Sequence, residues 1–356
     1  MAVTPTIDEA KLEAFMEQFV GDLGACATAP LVLIGDKLGL YKALADSEPV
    51  TPAELAERTG TRERYIREWL CQQAASEYLE YDATAGTFRL PPEQAVALAV
   101  DESPAFIPGA YQLLSAMIKD EPAITERFRS GEGFGWHEHH HDLFEGTERF
   151  FRPGYNAHLV AEWIPSLDGV EERLRDGIHV ADIGCGHGVS TILLAQEYPN
   201  STFVGSDYHE GSVEAARRAA ERARVSDRVT FEVAGAKEFA GGPFDLVCVF
   251  DALHDMGDPV GAARHVRSQL AGDGTWLVVE PMAADSVEEN LNPVGRVFYA
   301  GSTMLCTPAS VSQEVGLALG AQAGEARLTE VLNEGGFSHV RRSAETPFNL
   351  VLEVRR

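Results

Sequence analysis

The chain has 356 residues, 45% hydrophobic and 24% charged, a soluble globular composition with room for two units. Its 55 acidic against 29 basic side chains give a net charge of −26, which argues against nucleic acid or anionic membrane as partners. Five scattered cysteines without a CxxC pair read as reduced thiols, and no basic-then-apolar leader opens the sequence; a cytoplasmic protein is expected.

Residues 8 to 45 read as helical, with Leu12, Phe15, Phe19 and Leu23 spaced by three and four. The apolar run "ACATAPLVLIG" is too short, and too interrupted by Pro30, to span a bilayer. Thr51, Pro52 and Glu54 then form a capping box with proline at the first helical position, and Gly60 supplies a stop. A second helix carries Tyr65, Ile66, Trp69 and Leu70 at helical spacing, and "YLEY" and "TFRL" flank a turn at Gly86. Helix, turn, helix, hairpin is the pattern of a winged helix. DNA binding through Arg62, Arg64 and Arg67 competes with a packing and dimerisation role; the interspersed Glu63 and Glu68 and the acidic whole favour the latter. Three regions result: a helical winged-helix dimerisation domain over 1–100, a helical linker and lid over 101–165, and a catalytic domain over 166–356.

The second region holds "WHEHHHDLFEG", with four of the chain's eleven histidines. A metal reading puts His137 and His141 on one helix face, but lacks a defined third ligand. A lid reading makes Trp136 and Phe134 apolar walls, His137, Glu138 and His139 polar substrate contacts, and Gly131, Gly133 and Gly135 a hinge. A solvated loop is the third reading. The lid is favoured, with His140 and His141 as its solvated members, and no metal is expected.

Beyond residue 166 short apolar runs alternate with helical stretches, the signature of a doubly wound α/β sheet. "HVADIGCGHGVSTILLAQ" is strand, glycine loop, helix: glycines let a ligand touch backbone, and the helix offers unpaired N–H groups. Val189 stands where the dinucleotide fingerprint wants a third glycine or alanine. The next strand ends in "FVGSD", where Asp207 can accept two ribose hydroxyls and suits a cationic ligand. "HVRRSAE" and "FNLVLEVRR" read as a terminal antiparallel hairpin at the sheet edge.

On these motifs the sequence resembles the class I S-adenosylmethionine-dependent methyltransferases. "VADIGCGHG", "GSD", "AGAKEF" and "FDLVCVFDALHDMGDP" look like four successive motifs of that Rossmann-like family. The resemblance implies that Asp182 and Gly184, Cys185 and Gly186 hold the methionine part of S-adenosyl-L-methionine. It implies further that Asp207 holds the ribose, with Tyr208 beside the adenine, and that Asp251 and Ala252 lie near the sulfonium. Gly235, Ala236 and Lys237 follow the third strand, with Gly235 where the family often has an acid. Small-molecule O-methyltransferases pair this fold with a winged-helix domain and carry an "LHDW-x-D" element; here it is "LHDMGDP", Met256 replacing tryptophan. A bacterial methyltransferase group with similar "W-x-E-H" and "LFEGTERFFRPGY" segments resembles nearly the whole chain, without supplying an acceptor.

The expectation is a homodimeric enzyme transferring methyl to a small molecule, to a hydroxyl oxygen before N, S or C. His254, in the catalytic-histidine position of the "LHDW" enzymes, is the candidate base, with Asp255 orienting it or capping a helix. Phe151, Arg152 and Tyr155 of "RFFRPGY" are expected over the cofactor, unless they pack the domain seam. A winged-helix regulator sensing S-adenosylmethionine and a nicotinamide oxidoreductase are the rival classes.

Overall fold

The computed structural model describes residues 7–45 and 47–356, and the chain divides into two compact units after Ser115. The first contains α1 (Glu9–Lys37), α2 (Leu40–Ala45), α3 (Pro52–Thr59), α4 (Glu63–Ala75), a hairpin of β1 (Glu80–Asp82) and β2 (Thr87–Arg89), and α5 (Pro92–Leu98). At the start of α3 the Glu54 N–H donates to Thr51 Oγ1 at 3.3 Å while the Thr51 N–H donates to Glu54 Oε2 at 2.7 Å, so two orphan donors are satisfied reciprocally. Ile66, Trp69 and Leu70 of α4 enter a core with Leu40, Leu55 and Phe88, whereas Tyr65 points to solvent. Within that core Tyr41 donates its hydroxyl proton to Gln73 Oε1 at 2.5 Å, which leaves neither polar tip unpaired.

Pro30 does not interrupt α1, which continues through it as one 29-residue helix. Among the described residues α1 is a helix long and apolar enough, by composition alone, to cross a membrane. Its Leu12, Phe15, Phe19 and Leu23 are exposed on this chain.

A long helix, α6 (Pro108–Ser130), leads to a single 3₁₀ turn at Trp136–Glu138 and to α7 (Asp142–Gly154). From Tyr155 to Trp163 the helix is wound in the wider π form. There follow α8 (Val170–Asp176), β3 (His179–Ile183), α9 (Val189–Glu197), β4 (Thr202–Asp207), α10 (Glu210–Ala223), β5 (Val229–Val233), β6 (Phe244–Phe250), α11 (Pro259–Gln269) and β7 (Leu270–Pro281). An insertion of α12 (Val287–Asn290), α13 (Pro293–Gly301), a π turn at Ser302–Cys306 and α14 (Thr307–Val311) precedes α15 (Gly324–Glu334), β8 (His339–Glu345) and β9 (Asn349–Arg355).

The seven strands lie in the order β5-β4-β3-β6-β7-β9-β8. The first five are parallel and β9 is antiparallel to both β7 and β8, the expected terminal hairpin. On β6, Leu246, Cys248 and Phe250 face one core layer and Val247 and Val249 another, so its unbroken apolar run is explained by helices on both faces. Chain order reverses between β3 and β6, and the carboxyl edge at such a switch point is where doubly wound sheets receive ligands.

Candidate active site

Asp182, near the end of β3, is buried and accepts hydrogen bonds on Oδ2 from the hydroxyls of Ser190 and Thr191, each at 2.6 Å. Its other oxygen, Oδ1, is buried without a partner. Burial pushes this carboxyl up to about 6, against the two hydroxyls that pull it down. The loop after it turns at Gly184, whose φ of +71° a side chain would strain, and a Cβ there would stand 3.0 Å from Ala252 Cβ. Gly184 and Cys185 donate their N–H groups to Ser206 O, tying the loop to β4.

Asp207, closing β4, accepts from the Gly186 N–H at 3.0 Å and from the His209 N–H at 2.8 Å, one on each oxygen. Burial raises its pKa and these two backbone donors oppose the shift. Tyr208 beside it is half exposed. Gly235 and Ala236 lie just past β5, but the Lys237 amine pairs with Asp258 at 3.0 Å and Glu314 at 2.7 Å, so its charge is already engaged. Asp251, after β6, has φ of +50° and accepts from Tyr155 OH at 3.4 Å and Asn349 Nδ2 at 3.3 Å. Its carboxyl is pushed well above the usual range by burial and then by Glu280. Of the aromatic segment, Tyr155 thus reaches the cradle, while Arg152 pairs with Glu148.

A row of acids with one buried orphan oxygen is costly to leave uncompensated. A ligand carrying positive charge, an ammonium group and a pair of hydroxyls would compensate it, and on this donor set the residues fit S-adenosylmethionine.

Next to Ala252, the short turn Leu253–Asp255 buries His254 almost completely. His254 Nδ1 lies 2.5 Å from Glu280 Oε2, and the Leu253 N–H donates to Glu280 Oε1 at 2.9 Å. Its Nε2 lies 3.2 Å from Asp255 Oδ1, and the thiol of Cys306 sits against both groups. Burial opposes the imidazolium, but the carboxylates of Glu280 and Asp255 outweigh it and raise His254 well above its ordinary value. Burial likewise pushes the Cys306 thiol up to about 12. Asp255 Oδ2 accepts from the Trp136 indole N–H at 3.2 Å.

Sequence reasoning missed Glu280 and Cys306. Glu280 had a signal, a lone acid ending the buried strand "TWLVVEP"; Cys306 had none.

The histidine segment is arranged otherwise than expected. His137 and His141 share no helix face, because a 3₁₀ turn ends at Glu138 and α7 starts only at Asp142. His137 is exposed, and Glu138 accepts the Gly135 N–H at 2.7 Å. His139 is buried, its Nδ1 2.8 Å from Asp120 Oδ2, its ring edge-on to Phe134. Burial lowers its pKa against the pull of Asp120. His141 is exposed and His140 half-buried. Gly133 is a close-packing residue rather than a hinge, since a Cβ there would fall 2.1 Å from the Ser312 nitrogen.

Residues 174–336 match the family model of a methyltransferase domain, and residues 26–100 that of an Rv2258c-like winged HTH domain. The fold and cradle therefore define a methyltransferase domain carried with a winged-helix domain. Similar in sequence is 27-O-demethylrifamycin SV methyltransferase of Amycolatopsis mediterranei, 36% identical over 136 residues. That alignment covers 36% of this chain and 49% of the relative, so the chain spans about half the length of the curated relative it matches. Among solved structures, mitomycin 7-O-methyltransferase has a TM-score of 0.70 at 18% identity, covering 98% of this chain and 100% of its own. Human N-acetylserotonin methyltransferase, solved with S-adenosylmethionine, gives 0.63 at 15% identity over 100% and 99%. At such identities these structures show a shared fold.

Proposed function

We propose that this protein transfers a methyl group from S-adenosylmethionine to a small-molecule hydroxyl, with His254 as the general base. The observation that carries the reading is the placement of His254, oriented by Glu280 at 2.5 Å, directly after the Asp251–Ala252 corner of the glycine cradle. Asp182 and the backbone of Gly184, Cys185 and Gly186 would hold the methionine part, Asp207 the ribose and Tyr208 the adenine face, with Asp251 and Ala252 toward the sulfonium. The cofactor, when bound, supplies an electrophilic methyl carbon.

The chain's own work is alignment and proton handling. In-line alignment of acceptor and methyl can contribute roughly 7–11 kcal/mol. Glu280 accepts the Nδ1 proton and leaves Nε2 as the nitrogen that takes the hydroxyl proton. Because Glu280 and Asp255 hold His254 well above its ordinary value, the deprotonated fraction that does this work grows as pH rises. Such a base contributes roughly 10²–10⁴-fold, less than alignment does. Asp255, held by Trp136, lies 3.2 Å from Nε2 and helps neutralise the imidazolium. His139, locked on Asp120, anchors the segment that carries Trp136. A base at the cradle supports a hydroxyl acceptor over sulfur or carbon. The O-methyltransferases among the similar proteins support a small-molecule one.

The exposed apolar side of α1 supports a homodimer formed through the N-terminal unit. On α4, Arg64 and Arg67 are paired with Glu68 and Glu63, which supports packing rather than phosphate contact. Five unpaired thiols are compatible with the reducing cytoplasm.

The test is release of S-adenosylhomocysteine from a panel of phenols and alcohols, with wild type and His254→Ala. The variant should retain measurable turnover on acidic phenols and lose most of it on neutral alcohols. Full turnover on a neutral alcohol would remove His254 as base.

A further inference from the structure

His254, Asp255 and Cys306 bring one nitrogen, one oxygen and one sulfur to within 4.8 Å of one another, all three residues buried. They come from two elements far apart in sequence, the turn after β6 and the π turn after α13. We propose that His254 Nε2, Asp255 Oδ1 and Cys306 Sγ form a three-ligand site for a zinc-class divalent cation.

Three observations support it. The Nε2–Oδ1 separation is 3.2 Å. Two ligands at zinc bond lengths of roughly 2.0 Å and a tetrahedral angle are about 3.3 Å apart, so this edge of the site is already at its working length. Asp255 Oδ1 is buried and makes no well-formed hydrogen bond, yet it faces the His254 nitrogen and the Cys306 thiol. And His254 presents its other nitrogen, Nδ1, to Glu280 at 2.5 Å, the outer-shell carboxylate that orients metal-ligating histidines and raises their basicity.

The donor set selects the ion. A thiolate with imidazole and one carboxylate suits zinc or cobalt, whereas magnesium and calcium want oxygen alone. Three protein ligands leave a fourth position for water or an acceptor oxygen, unlike a closed structural site. Binding sends the thiol proton of Cys306 and any proton on His254 Nε2 to solvent. The second candidate cluster, His140, His141 and Asp142, is weaker, because its carboxylate is already engaged by Lys119.

Binding is independent of the function proposed above, but its consequence for turnover rests on that reading. The Nε2 lone pair cannot both hold a metal and accept the acceptor's proton, so the ion acts as an inhibitor that competes for the base.

The experiment titrates chelator-stripped, reduced full-length protein with Co²⁺ and follows the thiolate-to-cobalt charge-transfer band in the near ultraviolet. One equivalent should give the band, and Cys306→Ser, checked for folding by its thermal melt, should abolish it. A Cys26→Ser/Cys71→Ser control, which removes the exposed thiols, should keep it. Glu280→Gln should weaken cobalt affinity about 10–100-fold, the usual cost of losing an outer-shell partner. Magnesium should not displace cobalt; zinc should. Absence of a band, or its persistence in Cys306→Ser, overturns the site. Turnover should fall in step with occupancy; a rise would overturn the competition with the base. If metal-free His254→Ala keeps full turnover while the band is intact in wild type, the assignment of the base fails and the metal site stands.

Discussion

The two halves of the site are built on different plans. The glycine-loop half, proposed to take the cofactor, is local: Asp182, the glycine turn and Asp207 lie within one β3–α9–β4 unit, and the N–H groups of Gly186 and His209 hold the Asp207 carboxylate. The half around His254, proposed to handle the proton, is assembled at long range. Trp136, the His254–Asp255 pair, Glu280 and Cys306 come from four separate segments; the Trp136–Asp255 and His254–Glu280 contacts span 119 and 26 residues. A local cradle needs only correct folding of one supersecondary unit, whereas the second half depends on the insertion after β7 and on the 131–141 segment being seated. Binding and chemistry should therefore separate under mutation.

The largest expected effect on chemistry alone is that of His254→Ala. Turnover on a neutral alcohol should drop roughly 10²–10⁴-fold with S-adenosylhomocysteine affinity unchanged, a split that steady-state kinetics and calorimetry together would read. On the other half, Gly184→Ala strains a φ of +71° and crowds Ala252. It should cost about 1–2 kcal/mol of stability by thermal melt and weaken cofactor binding.

A subtler separation comes from pH. The fold raises Asp182 to about 6 from 3.8, so the neutral form is favoured; that advantage is present at low pH and lost as pH rises from about 3.8 to about 6. Above 6 the buried charge remains as a cost that a cationic ligand relieves. Affinity for S-adenosylhomocysteine should accordingly rise with pH up to about 6 and then level off, and Asp182→Asn should be both weak and pH-insensitive. An identical affinity at pH 5 and 7.5 in wild type would sever Asp182 from the ligand's ammonium. The smallest effect is a control outside the site: Thr51→Ala removes a capping box and should cost about 1 kcal/mol of stability while leaving ligand affinity alone.

The same contrast explains what could be read from sequence. "VADIGCGHG" and "FVGSD" are contiguous signals, because a glycine loop and a strand-end acid are set by neighbouring residues. The capping box at Thr51 and the terminal hairpin were legible for the same reason. The partners of His254 were not. Glu280 showed itself only as a charge at the end of an apolar strand, and Cys306 lies in a π turn whose winding nothing in "STMLC" announces. The histidine run misled because adjacency in sequence suggested a shared face. A 3₁₀ turn followed by a break sent His137 outward and His139 inward onto Asp120, a residue on another helix. Gly133 misled in the same way: its glycine answers to the backbone of Ser312, which no local pattern reveals.

The most direct measurement is calorimetry with S-adenosylhomocysteine on wild type, Asp207→Ala and His254→Ala. Wild type and His254→Ala should bind one equivalent with the same affinity. Asp207→Ala should lose about 1.5–3 kcal/mol, the worth of hydrogen bonds to a charged group. Unchanged affinity in Asp207→Ala, or equal losses in both variants, would contradict a cradle that holds the cofactor independently of the base.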